Sequence, residues 1–482
     1  MMSQDEIASA AWRGMIWRFL ERCSSQIVSF LVSIILARLL LPEQYGVIAM
    51  TMIFIALSEV FVTSGLGSAL IQKSKYEEHD FSTMFWASLV FSLLIYALLF
   101  CLAPYISLLM HTPELTLVLR VLGLRLPISA MNSIQQAYVS QQMIFKKFFF
   151  STLSGTIGSG LVGLIMAYAG YGVWALVGQN ITMIVVNTLA LHFLIPWRPT
   201  AYFNFYIFKN LYGFSWRVMI TTFIGTFFDQ LRSFLIGRYY RSSDLAFANR
   251  GEQFPIIIAN NVSTTIQSVL FPAFSHLQDD RQIIRKALQK SLTIGSFLVV
   301  GLMAILAGTA ETLISVVLTD KWIEVVPYLQ WACLGQCFSI LGMINLQTIS
   351  ALGRADIGLK LEFIKKPFWF IILMIGLTIS PLAIIAGNSL YGILAFCINA
   401  FPNKNLLGYG VLQQVRDIIA PFFIAFIIFI LLELMQSIIP HTIWALFLEG
   451  GCGIIIYAIL SNRLSLRGEM EIRNIIAKRI QS

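Results

Sequence analysis

The chain is predicted to be an all-α integral membrane protein of about 14 transmembrane helices. They form two pseudo-symmetric six-helix lobes followed by a C-terminal helix pair. Three observations predict this. Of 482 residues, 57% are hydrophobic and 12% charged, whereas soluble domains carry about 25% charged residues. Apolar runs long enough to cross a bilayer, about 20 residues, recur along the whole chain. The loops between them alternate in charge, as loops on opposite sides of a membrane do.

The candidate spans are 16–39, 45–71, 84–110, 115–141, 149–169 and 172–195 in the first lobe. In the second they are 212–237, 245–270, 291–318, 326–350, 367–386 and 389–402, and the final pair is 418–438 and 442–461. This gives lobes over 1–205 and 206–402 and an appended pair with a basic tail over 403–482. The first span follows a segment with Asp5 and Glu6, and no small-residue cleavage site succeeds it. It reads as a retained helix, not as a signal peptide. Gly155, Gly158, Gly160 and Gly163 in the fifth span mark small-residue helix packing. Pro255 is expected to interrupt the eighth span. The twelfth span is the shortest. The six cysteines lie in or beside apolar helices and read as packing residues.

One set of loops is basic, with Lys73 and Lys75, Lys146 and Lys147, Arg198 and Lys209, Arg281 to Lys290, Arg354 to Lys366, and Lys404 with Arg416. The tail adds Arg463, Arg467, Arg473, Lys478 and Arg479, whereas the opposite set holds only Arg38, Arg238, Arg241 and Lys321. By the positive-inside rule both termini are cytoplasmic, which requires an even number of spans. The formal charge of +9 is thus explained by short loops between spans and does not indicate nucleic acid. A repeat with a period near 200 residues supports the lobes. Ile35-Leu36-Ala37-Arg38 before Tyr45-Gly46 corresponds to Leu235-Ile236-Gly237-Arg238 before Leu245-Ala246. Tyr171-Gly172-Val173-Trp174-Ala175 likewise corresponds to Tyr391-Gly392-Ile393-Leu394-Ala395.

Charges inside the spans carry the functional reading. Arg18, Arg22, Arg120, Arg125, Arg217, Arg232 and Arg250 lie in apolar stretches, each at an insertion cost of about 2.5–3.5 kcal/mol. They outnumber the acids of those stretches, which points to an anionic substrate. Arg18, Arg22, Ser25, Ser29 and Ser33 share one face of span one. Arg125, Ser129, Asn132, Gln136 and Ser140 share a face of span four, and Thr222, Gly225, Asp229 and Arg232 one of span seven, where Asp229 and Arg232 are spaced to pair. Span eight carries Asn249, Gln253, Asn260, Thr264 and Gln267, flanked by Arg250 and Glu252. Glu59 stands nearly alone in span two. Such stripes also serve as hydrogen-bonding glue between helices, at about 0.6–2 kcal/mol per bond, and Arg18, Arg38, Arg217 and Arg238 are placed to snorkel.

No loop is long enough for a soluble catalytic domain, and no G-x-x-x-x-G-K-[ST], H-E-x-x-H or Cys-x-x-Cys motif occurs. No catalytic residue, metal or cofactor is assigned.

Three segments carry a resemblance. They are Ala56-Leu57-Ser58-Glu59 with Ser64-Gly65-Leu66-Gly67-Ser68-Ala69-Leu70-Ile71-Gln72-Lys73, then Val269-Leu270-Phe271-Pro272-Ala273-Phe274-Ser275-His276-Leu277-Gln278-Asp279-Asp280, and Asp320-Lys321-Trp322 with Val326-Pro327-Tyr328-Leu329-Gln330. With the helix count, these resemble bacterial polysaccharide exporters of the colanic-acid and O-antigen type, in the multidrug/oligosaccharidyl-lipid/polysaccharide superfamily. The resemblance implies a central cavity lined by spans one, two, seven and eight. It also implies alternating-access flipping of an undecaprenyl-pyrophosphate-linked oligosaccharide. A polysaccharide polymerase and a chain-length regulator are the implied protein partners. Lipid II flippases of the superfamily carry an arginine near the position of Glu59; the acid here argues against that substrate. Arg22, Arg125, Arg232, Arg250, Asn249, Gln253 and Asn260 become the expected substrate contacts, and Glu59 and Asp229 the expected sites of proton or sodium coupling. The competing readings are a cation-coupled drug exporter of the same superfamily, which favours a more acidic cavity, and an integral-membrane polysaccharide polymerase, which favours a large outer loop.

Overall fold

A computed structural model describes residues 4–63, 70, 78–276, 280–471 and 473. Residues 64–69, 71–73 and 277–279 of the resembling segments, Lys75, and the tail residues Lys478 and Arg479 lie outside the described residues. Helices account for nearly all of the rest, and no strand occurs among the described residues.

The first ones are α1 (Gln4–Leu39), α2 (Pro42–Thr63), α3 (Glu78–Leu109), α4 (Leu115–Gly123), α5 (Arg125–Gln141), α6 (Phe145–Tyr168), α7 (Val173–Leu194), α8 (Phe205–Tyr239) and α9 (Ser242–His276). They continue as α10 (Arg281–Gly308), α11 (Ala310–Val317), α12 (Val325–Ala351), α13 (Ala355–Ile379), α14 (Pro381–Ala400), α15 (Asn403–Leu407), α16 (Val411–Gln436) and α17 (Ile443–Arg463). Eleven described segments are long and apolar enough to cross a membrane. The helices α8, α9 and α13 occupy the expected seventh, eighth and eleventh positions but are more polar. In α13 the excess comes from Asp356, Lys360, Glu362, Lys365 and Lys366.

Two expectations are corrected and one is refined. The fourth span covers Leu115–Gln141 as expected and is built of two helices that meet at Leu124. Pro127 has no N–H to give to the Gly123 carbonyl and its ring crowds that oxygen, so α5 starts afresh at Arg125. The eighth span is not interrupted at Pro255, since α9 runs through it. The boundary between the eleventh and twelfth spans falls at Ser380, not near 387. The Ser380 hydroxyl accepts from Ala383 N at 3.0 Å, and Pro381 takes the first helical position, where its missing N–H costs nothing. The helix of the expected twelfth span, α14, is therefore 20 residues long.

Packing divides the chain into two compact units, Met1–Ala246 and Phe247–Ser482. In the first, α6 lies against α1 and α7 because its glycines permit it. A Cβ on Gly155 would sit 3.0 Å from Met183 O, and one on Gly160 2.7 Å from Val32 Cγ2. The fifth span, α6, is thus a small-residue packing surface, as expected. A Cβ on Gly46, at the start of α2, would lie 1.9 Å from Ser242 O, so that approach requires glycine. Helix α8 packs on α2 and α3, with Phe223 5.0 Å from Phe61 between ring centroids. In the second unit, α12 packs on α14, and α10 on α12 and α16. Cys333 and Cys337 are buried in α12, and no described cysteine is in a disulfide. Large apolar side chains such as Leu108, Phe193, Phe363 and Leu412 face outward, as in a protein whose solvent is lipid.

Candidate functional site

A polar cleft of about 400 Å³ lies inside the first unit, among apolar helices. The end of α2 supplies Glu59 and Thr63. Helix α5 supplies Arg125, Ser129, Asn132, Ser133, Gln136 and Ser140, which share a face by three- and four-residue spacing. The break at Leu124 puts Arg125 at the first position of α5.

Arg125 Nε donates to Glu59 Oε1 at 2.7 Å. The Ser129 hydroxyl donates to the same oxygen at 3.1 Å, and Arg125 Nη1 to Asn180 Oδ1 of α7 at 3.4 Å. The side chains of Arg125 and Glu59 are 27% and 24% exposed. Deeper in, Asn132 Nδ2 donates to Asn187 Oδ1 and Thr188 Oγ1, both at 3.1 Å. Gln136 Nε2 donates to Asn132 Oδ1, and the Ser151 hydroxyl to Asn187 Oδ1 at 2.8 Å. The result is a charge-compensated cleft rich in amides and hydroxyls. Such groups both donate and accept, which suits sugar hydroxyls. Asn180, Asn187, Thr188 and Ser151 were not anticipated from the sequence, although paired polar residues inside the apolar sixth span were a visible signal. Glu59, expected to stand nearly alone, has a cationic partner.

The other expected residues fall into two groups. Arg22 on α1, Asp229 on α8, and Asn249 and Asn260 on α9 are exposed. Among the described residues, Arg22 and Asp229 make no hydrogen bond or salt bridge, and no ion pair joins Asp229 to Arg232, so the one-turn pairing is not formed. Exposed polar side chains on helices with otherwise apolar surfaces are expected where a helix faces water within the bilayer. Arg250, by contrast, is engaged. Its Nη1 donates to Gln253 Oε1 at 2.6 Å, and its guanidinium lies 5.6 Å from the ring centroid of the buried Trp322. Arg232 and Gln253 are partly buried.

Residues 35–327, more than half of the chain, match the family described as polysaccharide biosynthesis protein. The chain belongs to that family. It is similar to the succinoglycan biosynthesis transport protein ExoT of Rhizobium meliloti (strain 1021), at 24% identity over 94% of this chain and 93% of the relative. It is also similar to the lipopolysaccharide biosynthesis protein WzxC of Escherichia coli (strain K12), at 21% identity over 81% and 80%. Among solved structures it resembles the lipid II flippase MurJ in an inward closed conformation, with a TM-score of 0.73 at 16% identity, covering 96% of this chain and all of that one. An inward-facing multidrug transporter of the MATE family gives a TM-score of 0.60 at 15% identity, over 80% of this chain and 98% of that one. At these identities the structural likeness speaks for the fold, which is that of the superfamily the sequence resembles. The chain is a multi-pass membrane transport protein of polysaccharide biosynthesis, not an enzyme.

Proposed function

We propose that the protein flips an undecaprenyl-pyrophosphate-linked oligosaccharide from the cytoplasmic to the periplasmic leaflet by alternating access, for O-antigen, capsule or exopolysaccharide assembly. The proposal includes a path served by both lobes, 1–205 and 206–402, with the pair at 403–482 appended. The observation that carries it is the cleft around Glu59 and Arg125, a hydrogen-bonding surface for sugars inside a membrane helix bundle. Its charges cancel, so the pyrophosphate needs a different cation. Arg22 is an exposed arginine on an intramembrane helix that is not already committed to a carboxylate. A guanidinium stays ionised on desolvation and grips phosphate oxygens as a fork. Exposed Asn249 and Asn260, with Gln253, offer further partners for hydroxyls. The polyprenyl tail remains in lipid, where it costs nothing.

The test is reconstitution of the purified protein in liposomes loaded on the inner leaflet with a polyprenyl-pyrophosphate oligosaccharide, scored by lectin access to the glycan from outside. We expect transfer by the native chain, loss in Arg22→Ala and weak recovery in Arg22→Lys. No transfer by the native chain, or full transfer by Arg22→Ala, refutes the corresponding part of the reading.

A further inference from the structure

A fully buried acid lies in the second unit, near the end where α16 turns into α17, and the proposed transport path does not use it. Glu449 has no exposed surface. It lies about 10 Å along α17 at 1.5 Å per residue. Its Oε1 is 3.0 Å from Thr312 Oγ1 of α11, and its Oε2 has no hydrogen-bond partner among the described residues. The same Thr312 oxygen is 3.0 Å from His441 Nδ1 in the α16–α17 turn. His441 Nε2 is in turn 3.6 Å from Glu311 Oε1. Exposure rises along this line, from none at Glu449 and Thr312 to 31% at the His441 side chain and 45% at Glu311.

Counting protons gives the line a meaning. A hydroxyl owns one hydrogen, so Thr312 cannot donate to Glu449 and to His441 Nδ1 together. Either Glu449 is a neutral acid that donates to Thr312, whose hydrogen goes to Nδ1, or His441 donates from Nδ1 to Thr312, whose hydrogen goes to a Glu449 carboxylate. A buried carboxylate with one neutral donor and no countercharge is strongly disfavoured. The surroundings supply none. The other titratable groups at this end are Glu311 of α11, Cys452 of α17 and Glu433 of α16, which accepts from Gln330 Nε2 at 2.6 Å, with Asp320, Lys321 and Glu324 in the turn beyond α11. The titratable residues of α10, Arg281 to Lys290, are at its opposite end, as is Arg463 of α17. Among the described residues of the helices packed on α17 (α10, α11 and α16) and of the α16–α17 turn, the one cation at this end is His441 when protonated; Lys321 lies in the turn beyond α11. No three His, Cys, Asp or Glu side chains converge for a metal among the described residues.

We propose that Glu449 is a proton-binding carboxylate, loaded and unloaded through a Thr312–His441 relay that opens at the α16–α17 turn. On release, the Glu449 proton passes to Thr312 Oγ1 while the Thr312 proton passes to His441 Nδ1, leaving a carboxylate and an imidazolium. The imidazolium then sheds its Nε2 proton to water beside Glu311. Loading runs in reverse, so the relay neither gains nor loses atoms beyond one proton.

The experiment is pH-difference infrared spectroscopy of the purified full chain, with pH jumps across about pH 5–8, where imidazole titrates. A carboxylic-acid C=O band should grow on acidification and vanish in Glu449→Gln. In Thr312→Val, which keeps the carboxyl, the band should respond at least tenfold more slowly, and Thr312→Ser should restore the native rate. His441→Gln should slow it likewise. A spectrum unchanged by Glu449→Gln overturns the proposal. So does a Thr312→Val response as fast as the native one, and that arm decides the matter if Glu449→Gln does not accumulate.

Discussion

The Arg125–Glu59 contact allows a quantitative test. Arg125→Gln removes the cation and leaves Glu59 held by the Ser129 hydroxyl in a cleft among apolar helices. Exposed ion pairs contribute up to about 1 kcal/mol, while breaking a fully buried one costs about 3–5 kcal/mol. With side chains 27% and 24% exposed, the pair falls between these limits. A loss of about 2 kcal/mol, roughly a 30-fold shift in the folded-to-unfolded ratio, is expected for Arg125→Gln. Glu59→Gln should cost less, about 1 kcal/mol, because an amide oxygen still accepts from Arg125 and Ser129. The double variant should then lose about 2 kcal/mol instead of 3, a coupling of about 1 kcal/mol. Equilibrium unfolding in mixed SDS micelles, followed by tryptophan fluorescence, measures all four proteins. Additivity within about 0.3–0.5 kcal/mol would refute the claim that the two charges compensate each other.

Three further outcomes are expected, the first from loop charge and the others from the geometry. Glu114→Cys should react with an impermeant thiol reagent in intact cells and Lys146→Cys only after permeabilisation; the reverse pattern rejects the orientation. Asp229→Asn should leave protein abundance normal, since Asp229 is exposed and unpaired among the described residues, and should abolish export if the residue couples transport to a cation; undiminished export dismisses that role. Gly46→Ala places a methyl 1.9 Å from the Ser242 backbone oxygen and should destabilise by about 1–3 kcal/mol, read as a lower unfolding midpoint; a neutral result denies that close approach.

Most of the helices were legible because hydropathy and loop charge are summed over 20 or more residues and survive local noise. Single breaks were not. Apolar composition continues across Ser380, and only the Ser-Pro pair, a cap followed by a first-turn proline, betrays the new helix. Leu124 is similar, with Pro127 as the sign. Pro255 misled in the other direction, because α9 remains helical through it. Each stripe of the candidate site was visible as spacing on one helix. Which stripes meet was not, because Glu59 and Arg125 are 66 residues apart and no one-dimensional period relates them. The Asp229–Arg232 spacing permits a contact, but spacing on one helix does not require it, and no such ion pair forms among the described residues. Glu449 has no signature in the sequence, because its setting comes from Thr312 and His441, which are more than a hundred residues apart.

The same separation bears on how the protein is made. Glu59 is translated 66 residues before Arg125, about 3–13 s earlier at 5–20 residues per second. During that interval α2 enters the bilayer with an acid that has no cationic partner. Its other residues, apolar from Val47 to Leu57 but for Thr51, must outweigh the insertion cost unaided; a carboxylate at the centre of a span opposes entry by about 2.5–3.5 kcal/mol, and Glu59, near the end of α2, opposes it by less. The bond to Arg125 is made only when the fourth span docks, so it contributes to assembly of the inserted helices and not to their entry. Lowering the hydropathy of α2 should therefore impair membrane integration even where the finished ion pair is intact.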